Sequence, residues 1–237
     1  HRQAVDESAW PRTVKQIWIN VIGFSRGAAS ARAFVHKLVN EWAPGGRLSD
    51  QTGKYALPYQ VNFMGLFDTV ASVGLPDSAR SVANLSRFDG HSGFASKGRL
   101  AIPDQVQFCV HAFSIHEQRL SFPLDSISKG GSDPGDCRHE IAYPGVHSDV
   151  GGGYAPGDQG KARQGDSSKL SQIPLHDMYI AALKYGVPLM RGEAILQTPE
   201  IAADFALDPQ TIAAFNAWLK TVEPATLSNI GDAMKFG

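Results

Sequence analysis

The chain has 237 residues, which suits one large domain or two small ones and is ample to bury a hydrophobic core. Its 22 Lys and Arg residues balance 23 Asp and Glu residues, so the formal net charge of −1 excludes a broad basic surface for nucleic acid or anionic lipid. With 43% hydrophobic and 19% charged residues, and with no signal peptide or apolar run of about 18 residues, the sequence predicts a globular protein without a transmembrane segment.

Strand-like and helix-like segments alternate in the first part of the chain. The β-branched segment Lys15–Ile22 predicts a buried strand, and Ala28–Trp42 predicts a helix that the glycines after it terminate. The apolar segment Val61–Phe67 predicts a second strand. Many Gly, Ser and Asp residues in Ser72–Ile102 predict a long loop or a small lid that lies outside the core.

The alternation continues further along the chain. Val106–Phe113 predicts a third strand and Glu140–Tyr143 a fourth, with a surface loop predicted over Asp125–Asp136. Pro174–Tyr185 predicts a helix that packs on the sheet. Short apolar strands separated by helices or long excursions indicate an α/β fold with a mostly parallel sheet. Further helices are predicted towards the end of the chain, one of them beginning at Asp208–Pro209.

A G-x-S-x-G motif at Gly23–Gly27 is short and generic, so its context decides its meaning. It lies directly after a predicted strand and before small residues that open a predicted helix, which is the arrangement of a nucleophile elbow. There Ser25 would adopt a strained backbone conformation, and we expect glycine at both Gly23 and Gly27 because a side chain would clash. The helix N-terminus would favour negative charge that develops during attack. The alternative is an ordinary glycine-rich connection between strand and helix.

A nucleophilic serine needs a base and an acid that orients the base. In this arrangement the expected chain order is Ser, acid, His, with the acid and the histidine at the carboxyl ends of later strands. Asp68 follows the second predicted strand and His147 follows the last one. Ser25, Asp68 and His147 would therefore meet at one edge of the sheet, as nucleophile, acid and base.

Other residues compete for these roles. His111 and His116 also follow a strand, although His111 fits a packed, hydrogen-bonded position at the strand end. If the acid of this fold is placed after the third strand, Glu117 is the usual choice. Asp149 lies two residues from the predicted base and fits a role in shaping the loop. These alternatives stay open at the level of the residues.

No cofactor or metal site is predicted. Gly151–Gly153 lacks the lysine of a phosphate-binding loop and favours a flexible hinge beside the predicted base. No spacing of His, Cys, Asp or Glu matches a metal motif. Two cysteines, Cys109 and Cys137, cannot form a disulfide framework and leave the redox compartment open.

Three segments together, Gly23–Gly27, Gly65–Val70 and Tyr143–Tyr154, resemble a branch of the α/β-hydrolases that includes type VI secretion lipase effectors. These effectors are bacterial toxins with phospholipase activity. The resemblance covers roughly residues 15–185 and extends to His111–Glu117, although the family more often has Asp where His116 stands.

The resemblance implies an α/β-hydrolase that cleaves acyl esters of glycerophospholipids at a membrane surface, with Ser25 as nucleophile, Asp68 as acid and His147 as base. The backbone N–H of Arg26 and a second N–H from an earlier loop would hold the oxyanion, and no cofactor would be needed. It further implies secretion into a target cell, action in that cell's periplasm, a partner in the secretion apparatus and an immunity protein. Two alternatives are a soluble carboxylesterase or thioesterase and a catalytically silent binding domain of the same fold.

The position of the motif bears on the organisation of the chain. An α/β-hydrolase places several strands before its nucleophile, and only one predicted strand precedes Ser25. We therefore expect residues 1–190 to be the part of the catalytic domain from the nucleophile strand onward. We expect 191–237 to be a helical extension or the start of a cap or membrane-associated module. Such a piece alone would be poorly active, because one oxyanion donor is missing.

Overall fold

A computed structural model describes residues 14–50, 52–53, 56–71, 97–128 and 137–222. Within these residues five strands form one sheet: β1 (Ile17–Phe24), β2 (Arg47–Ser49), β3 (Ala56–Phe67), β4 (Val106–Ser114) and β5 (Arg138–Tyr143). Strands β1, β3, β4 and β5 are parallel and adjacent in that order, and β2 pairs antiparallel with the beginning of β3. The mostly parallel α/β sheet predicted from the sequence is confirmed.

Helices connect and flank the strands. They are α1 (Arg26–Lys37), α2 (His147–Gly151), α3 (Gln172–Lys184), α4 (Gly192–Leu196), α5 (Pro199–Asp204) and α6 (Pro209–Thr221). A π-helical turn, Leu38–Trp42, continues α1 to the end of the predicted helix. Of the helices in the described part of the chain, none has the length and hydropathy required to cross a bilayer.

The sheet is covered on both faces, as expected for parallel strands that are apolar along their length. Helix α1 packs on one face, where the buried side chains include Ala28, Val35, Leu38, Val61, Met64 and Leu66. Helix α3 packs on the other face, where they include Phe63, Phe108, Val110, Tyr143, Met178 and Ala182. Residues 61–67 of β3 are all buried, so the carboxyl end of β3 is fixed between its neighbours.

The predicted strands differ from the observed ones mainly at their ends. Strand β1 begins two residues later than predicted and runs to Phe24, and β3 begins at Ala56, five residues before the predicted Val61. The sequence analysis did not predict β2, whose three residues are too few for a period-2 pattern to stand out.

The long segment predicted over Ser72–Ile102 is described only from residue 97. Residues 72–96, and with them the predicted lid, lie outside the described residues. The prediction that the segment avoids the core is wrong at its end, because Leu100 and Ile102 are both 3% exposed. Both are apolar residues at the close of a polar segment, and they pack beneath α1.

The surface loop predicted over Asp125–Asp136 is also wrong in its first part. Ile127 is 5% exposed, and residues 125, 126 and 128 beside it are half-buried. The guanidinium of Arg32, on α1, donates to the carbonyl oxygens of Asp125 at 2.5 Å and Ser126 at 3.0 Å and draws this segment inward. Residues 129–136 lie outside the described residues.

The end of the described chain is helical, as predicted. Helix α6 begins after Asp208, whose side chain accepts a hydrogen bond from the N–H of Thr211 at 3.0 Å, and Pro209 occupies the first turn. Phe215 of α6 stacks near Tyr143 of β5, with ring centroids 6.3 Å apart. Helix α6 therefore packs on the same face of the sheet as α3. The division of the chain into 1–190 and 191–237 stays a prediction. Residues 223–237 lie outside the described residues.

Candidate active site

Ser25 occupies a strained turn between β1 and α1. Its backbone angles are φ 57° and ψ −122°, a conformation that costs a non-glycine residue about 1–3 kcal/mol. Hydrogen bonds on both sides hold this turn: the Ser25 N–H donates to the carbonyl of Phe67 at 2.9 Å, and the Ser25 carbonyl accepts from the N–H of Ala28 at 3.0 Å. The geometry is that of a nucleophile elbow.

The two glycines of the motif are not equivalent. A Cβ on Gly23 would lie 2.5 Å from the carbonyl oxygen of Gly27, so a side chain there would collide with backbone. A Cβ on Gly27 would meet nothing within 4 Å, because it would extend from the first turn of α1 into open space. The expectation that both positions require glycine is therefore correct for Gly23 and wrong for Gly27.

Arg26, the predicted oxyanion donor, is the first residue of α1. The N–H groups of a first helical turn have no acceptor within the helix, so the N–H of Arg26 is available next to Ser25. Aligned peptide dipoles also place partial positive charge at this end of α1.

Asp68 follows β3 and is buried, at 3% exposure. Its Oδ2 accepts from Nδ1 of His147 at 2.7 Å and from the hydroxyl of Ser114 at 2.7 Å, and its Oδ1 accepts from the N–H of Ser114 at 3.1 Å. Asp68 has a positive φ of 41°, which turns the carboxylate away from the strand direction. Ser114, at the end of β4, is a site residue that the sequence analysis missed, and the only signal was a polar residue ending an apolar strand.

His147 is the first residue of α2 and is 6% exposed. Its ring lies between Phe24 and Phe122, with centroid distances of 4.6 and 4.8 Å. Because the ionised Asp68 carboxylate only accepts hydrogen bonds, Nδ1 of His147 carries the proton and Nε2 is left with a free lone pair. This is the tautomer that a general base for serine requires.

The structure thus brings Asp68 and His147 into direct contact and places Ser25 at the same edge of the sheet. Ser25 is bonded through its backbone to Phe67, the residue before Asp68, and it follows Phe24, which contacts the imidazole. Among the described residues no hydrogen bond joins the Ser25 hydroxyl to His147. Catalytic hydrogen bonds are often long without substrate and tighten only in the complex.

The competing histidines are engaged elsewhere. His111 is fully buried, with Nδ1 2.8 Å from Glu140 and Nε2 accepting from the N–H of Thr69 at 3.1 Å. Nδ1 of His116 accepts from the N–H of Gly145 at 2.9 Å. Both imidazoles therefore serve local structure in this fold.

The competing carboxylates are also engaged. Glu117 bonds to the guanidinium of Arg119, which together with backbone N–H donors lowers the Glu117 pKa to about 2, and it accepts from the N–H of His147 at 3.2 Å. Asp149 binds Nζ of Lys161 at 2.8 Å and accepts from the N–H of Val146 at 3.0 Å. Glu117 thus holds the backbone of His147, and Asp149 shapes the loop before it.

Glycine is required at position 151 by side-chain packing, which the prediction of a hinge did not include. A Cβ there would lie 2.0 Å from the ring of Phe24, so glycine is what lets α2 approach the aromatic residue before Ser25. The described part of the chain contains no cluster of three His, Cys, Asp or Glu side chains that could hold a metal ion.

A cavity of about 750 Å³ opens beside His147. Its lining includes Phe24, Phe122, His147, Tyr154, Arg119 and Lys161. A cavity of this size matches sites that bind small molecules. Aromatic rings next to the imidazole make it suitable for the apolar part of a ligand, whereas Arg119 and Lys161 are each paired with a carboxylate, Glu117 and Asp149, that lines the same cavity.

Comparisons with known proteins found a matching family and similar solved structures. A family model described as "T6SS, Phospholipase effector Tle1-like, catalytic domain" matches residues 46–181. An uncharacterised protein from Pseudomonas aeruginosa, known from a crystal structure, is 36% identical with a TM-score of 0.71, and the match covers 93% of this chain and 30% of that one. No curated protein matches the chain significantly.

A second solved structure, the Tle1 effector bound to the VgrG spike of the type 6 secretion system, matches 93% of this chain and 57% of that chain. Its identity is 19% and its TM-score 0.55, so this likeness concerns the fold alone. The chain therefore spans less than two thirds of the length of either solved protein. Since the family model covers more than half of the sequence, the chain belongs to the family of type VI secretion phospholipase effectors with a Tle1-like catalytic domain.

Proposed function

We propose that this chain is a serine hydrolase that cleaves acyl esters of glycerophospholipids, with Ser25 as nucleophile, His147 as general base and Asp68 as the orienting acid. The observation that carries the proposal is the 2.7 Å contact between Asp68 and His147 at the edge of the sheet where Ser25 occupies its strained turn. Membership in a family of phospholipase effectors supports the choice of substrate.

In the first step, the Ser25 hydroxyl attacks the ester carbonyl carbon while Nε2 of His147 takes its proton. Asp68 holds the imidazole in the tautomer that leaves Nε2 free and stabilises the imidazolium that forms. The tetrahedral intermediate collapses, the C–O bond to the glycerol oxygen breaks, and His147 returns the proton to that oxygen. The products of this step are a lysophospholipid and an acyl group bonded to Ser25.

The negative charge of the intermediate needs hydrogen-bond donors. The N–H of Arg26 lies at the start of α1, where the helix dipole adds partial positive charge. A donor of this kind is worth about 10²–10³ in kcat. We propose that a second N–H from another loop completes the oxyanion hole.

In the second step, a water molecule takes the place of the leaving alcohol. His147 removes a proton from this water, the resulting hydroxide attacks the acyl carbon, and the bond to Ser25 breaks. The proton returns from His147 to the Ser25 oxygen, and a fatty acid leaves. No cofactor takes part in either step.

The experiment that tests the substrate compares two classes of ester. The protein is incubated with vesicles of phosphatidylethanolamine and phosphatidylglycerol, and with a soluble short-chain p-nitrophenyl ester, and free fatty acid, lysophospholipid and p-nitrophenol are measured. We expect slow release of fatty acid and lysophospholipid from the vesicles, and loss of nearly all of this turnover in Ser25→Ala and His147→Ala with unchanged circular dichroism.

Other outcomes identify the alternatives. Hydrolysis of only the soluble ester would identify a carboxylesterase or thioesterase. Turnover of neither substrate, together with no fluorophosphonate adduct on Ser25 in the folded protein, would favour a silent binding domain. Release of phosphate or of the free headgroup would contradict acyl-ester cleavage, because that chemistry breaks a different bond.

We propose further that the protein acts in the periplasm of a target cell and reaches it attached to a secretion spike, with an immunity protein protecting the producing cell. The support is the family and a fold shared with an effector whose solved complex contains the VgrG spike. Co-purification of this protein with the spike protein of its own organism tests the attachment, and toxicity only when the protein is exported to the periplasm tests the compartment.

A further inference from the structure

A second histidine–carboxylate pair lies directly behind Asp68. His111 of β4 is 0% exposed, and its Nδ1 lies 2.8 Å from Oε1 of Glu140 on the neighbouring strand β5. On its other side, Nε2 of His111 accepts from the N–H of Thr69 at 3.1 Å. Thr69 is the residue after Asp68, so the pair ends on the turn that carries the proposed acid.

The hydrogen-bond partners of His111 determine which of its ring nitrogens carries a proton. Both oxygens of Glu140 accept from other donors, Oε2 from the hydroxyls of Ser126 and Ser128 and Oε1 from the N–H of Ile127, which is the arrangement of an ionised carboxylate. An ionised carboxylate only accepts, so Nδ1 of His111 is the donor; Nε2 faces an N–H and must accept. His111 is therefore neutral, with its proton on Nδ1.

Glu140 is itself held by surrounding donors. The hydroxyls of Ser126 and Ser128 donate to Oε2 at 2.7 Å each, and the N–H of Ile127 donates to Oε1 at 2.9 Å. The buried guanidinium of Arg32, 3% exposed, binds the carbonyls of the same loop and supplies a compensating positive charge. Both oxygens of this partly buried anion are thus satisfied, which a rigid support requires.

The supported turn is strained. Asp68 has φ 41°, and its N–H donates to the carbonyl of Ala112 at 2.7 Å, while the carbonyl of Thr69 accepts from the N–H of Asp125 at 2.9 Å. The other N–H of this turn, that of Thr69, donates to Nε2 of His111. An apolar residue of the same volume could fill the space of His111, but it could not join an anion on one side to an N–H on the other.

We propose that His111 and Glu140 are positioning residues for the reaction: they fix the Asp68–Thr69 peptide and so keep the Asp68 carboxylate aimed at Nδ1 of His147. This inference rests on the proposed function, because it assigns a role relative to the proposed acid. His111 touches no reacting atom. Its loss acts through the distance and angle of the contact between Asp68 and His147.

The test compares two substitutions at His111. His111→Leu removes both hydrogen bonds, whereas His111→Gln keeps one donor and one acceptor on a side chain of similar reach. We expect kcat for the soluble ester to fall about 100-fold in His111→Leu, the cost of a misplacement of about 1 Å, with KM within about twofold. We expect His111→Gln to retain kcat within about tenfold of wild type.

A pH profile separates positioning from general damage. A weaker contact with Asp68 stabilises the imidazolium of His147 less, so the acid limb of kcat/KM should move to lower pH in His111→Leu and much less in His111→Gln. The matched control is Asn62→Leu, which removes two partly buried hydrogen bonds of β3, to Asn20 at 3.1 Å and to Tyr185 at 2.7 Å. It should lower Tm without moving the acid limb.

Three results would overturn the proposal. One is full kcat in a folded His111→Leu, and another is an acid limb that stays in place or moves equally in Asn62→Leu. The third needs no variant: imidazole ¹⁵N NMR of the wild-type protein should show His111 protonated on Nδ1 alone at neutral pH, and any other form contradicts it. If the wild-type protein hydrolyses neither the vesicles nor the soluble ester, the proposed function fails, while the NMR result still decides the hydrogen-bond arrangement.

Discussion

Asp68→Asn separates the chemistry of the Asp68–His147 contact from its geometry. The introduced amide is the same size as the carboxylate. Its oxygen can still accept from the N–H of Ser114, which lies 3.1 Å from Oδ1. Its NH₂ group would take the place of Oδ2 and donate both to Nδ1 of His147 and to the Ser114 hydroxyl, each 2.7 Å away. Each polar atom of the amide keeps a partner, and only the Ser114 hydroxyl must turn its proton away from residue 68, so we expect the fold to survive.

The consequence falls on the imidazole. Once Nδ1 of His147 accepts a hydrogen bond, its proton moves to Nε2, and Nε2 can no longer accept the proton of Ser25. We expect kcat to fall by about 10⁴-fold, as for the equivalent change in other serine hydrolases. This corresponds to about 5 kcal/mol of transition-state stabilisation.

The assay is steady-state hydrolysis of a soluble short-chain ester, with Tm measured alongside. Ser114→Ala is the matched control, because it removes one hydrogen bond from Asp68 but leaves its charge and its contact with His147. Loss of one hydrogen bond to a charged group, about 1.5 kcal/mol at the lower end, should cost about tenfold. If Asp68→Asn keeps its Tm and retains more than a tenth of the wild-type kcat, the assignment of Asp68 as the orienting acid is refuted.

The turn at Ser25 and the Glu140 carboxylate each give a further prediction. Gly23→Ala would place a Cβ 2.5 Å from a backbone oxygen, so it should lower the free energy of unfolding by about 3 kcal/mol or more and abolish activity. Gly27→Ala is the control and should leave Tm and kcat near wild type, because its Cβ would meet nothing within 4 Å. Similar Tm values for the two variants would contradict this prediction. Glu140 has its pKa lowered from 4.5 to about 2, so its ionised form stabilises the folded state above pH 4.5, and this contribution is lost as the pH falls towards 2. Acid unfolding monitored by circular dichroism should therefore be less steep over this window in Glu140→Gln, and an unchanged slope would contradict the lowered pKa.

The sequence was sufficient to locate the four parallel strands along the chain because their apolar segments are continuous and are separated by glycine-rich or polar stretches. It was also sufficient to select Ser25, Asp68 and His147, since each follows a predicted strand and parallel strands end at one edge of the sheet. The structure adds the contact between Asp68 and His147, and the roles of all three stay predictions until activity is measured.

Contacts between distant parts of the chain could not be predicted in the same way. Ser114 and Asp68 are 46 positions apart, and Arg32 and Asp125 are 93 positions apart. Nothing in the local pattern around Asp125 indicates that a buried guanidinium will draw the segment inward, so a polar stretch was interpreted as surface. Likewise, the G-x-S-x-G motif does not show that a side chain at position 27 would extend into open space, because this depends on the direction in which the first turn of α1 faces.

The central claim is that Ser25 is a nucleophile activated by His147 and Asp68. Incubation of the intact protein with a fluorophosphonate, followed by mass spectrometry and peptide mapping, tests this directly. We predict one adduct per chain, located on Ser25, with labelling absent in Ser25→Ala and strongly slowed in His147→Ala and Asp68→Asn. No adduct on the folded wild-type protein, or an adduct that persists in Ser25→Ala, would contradict the claim.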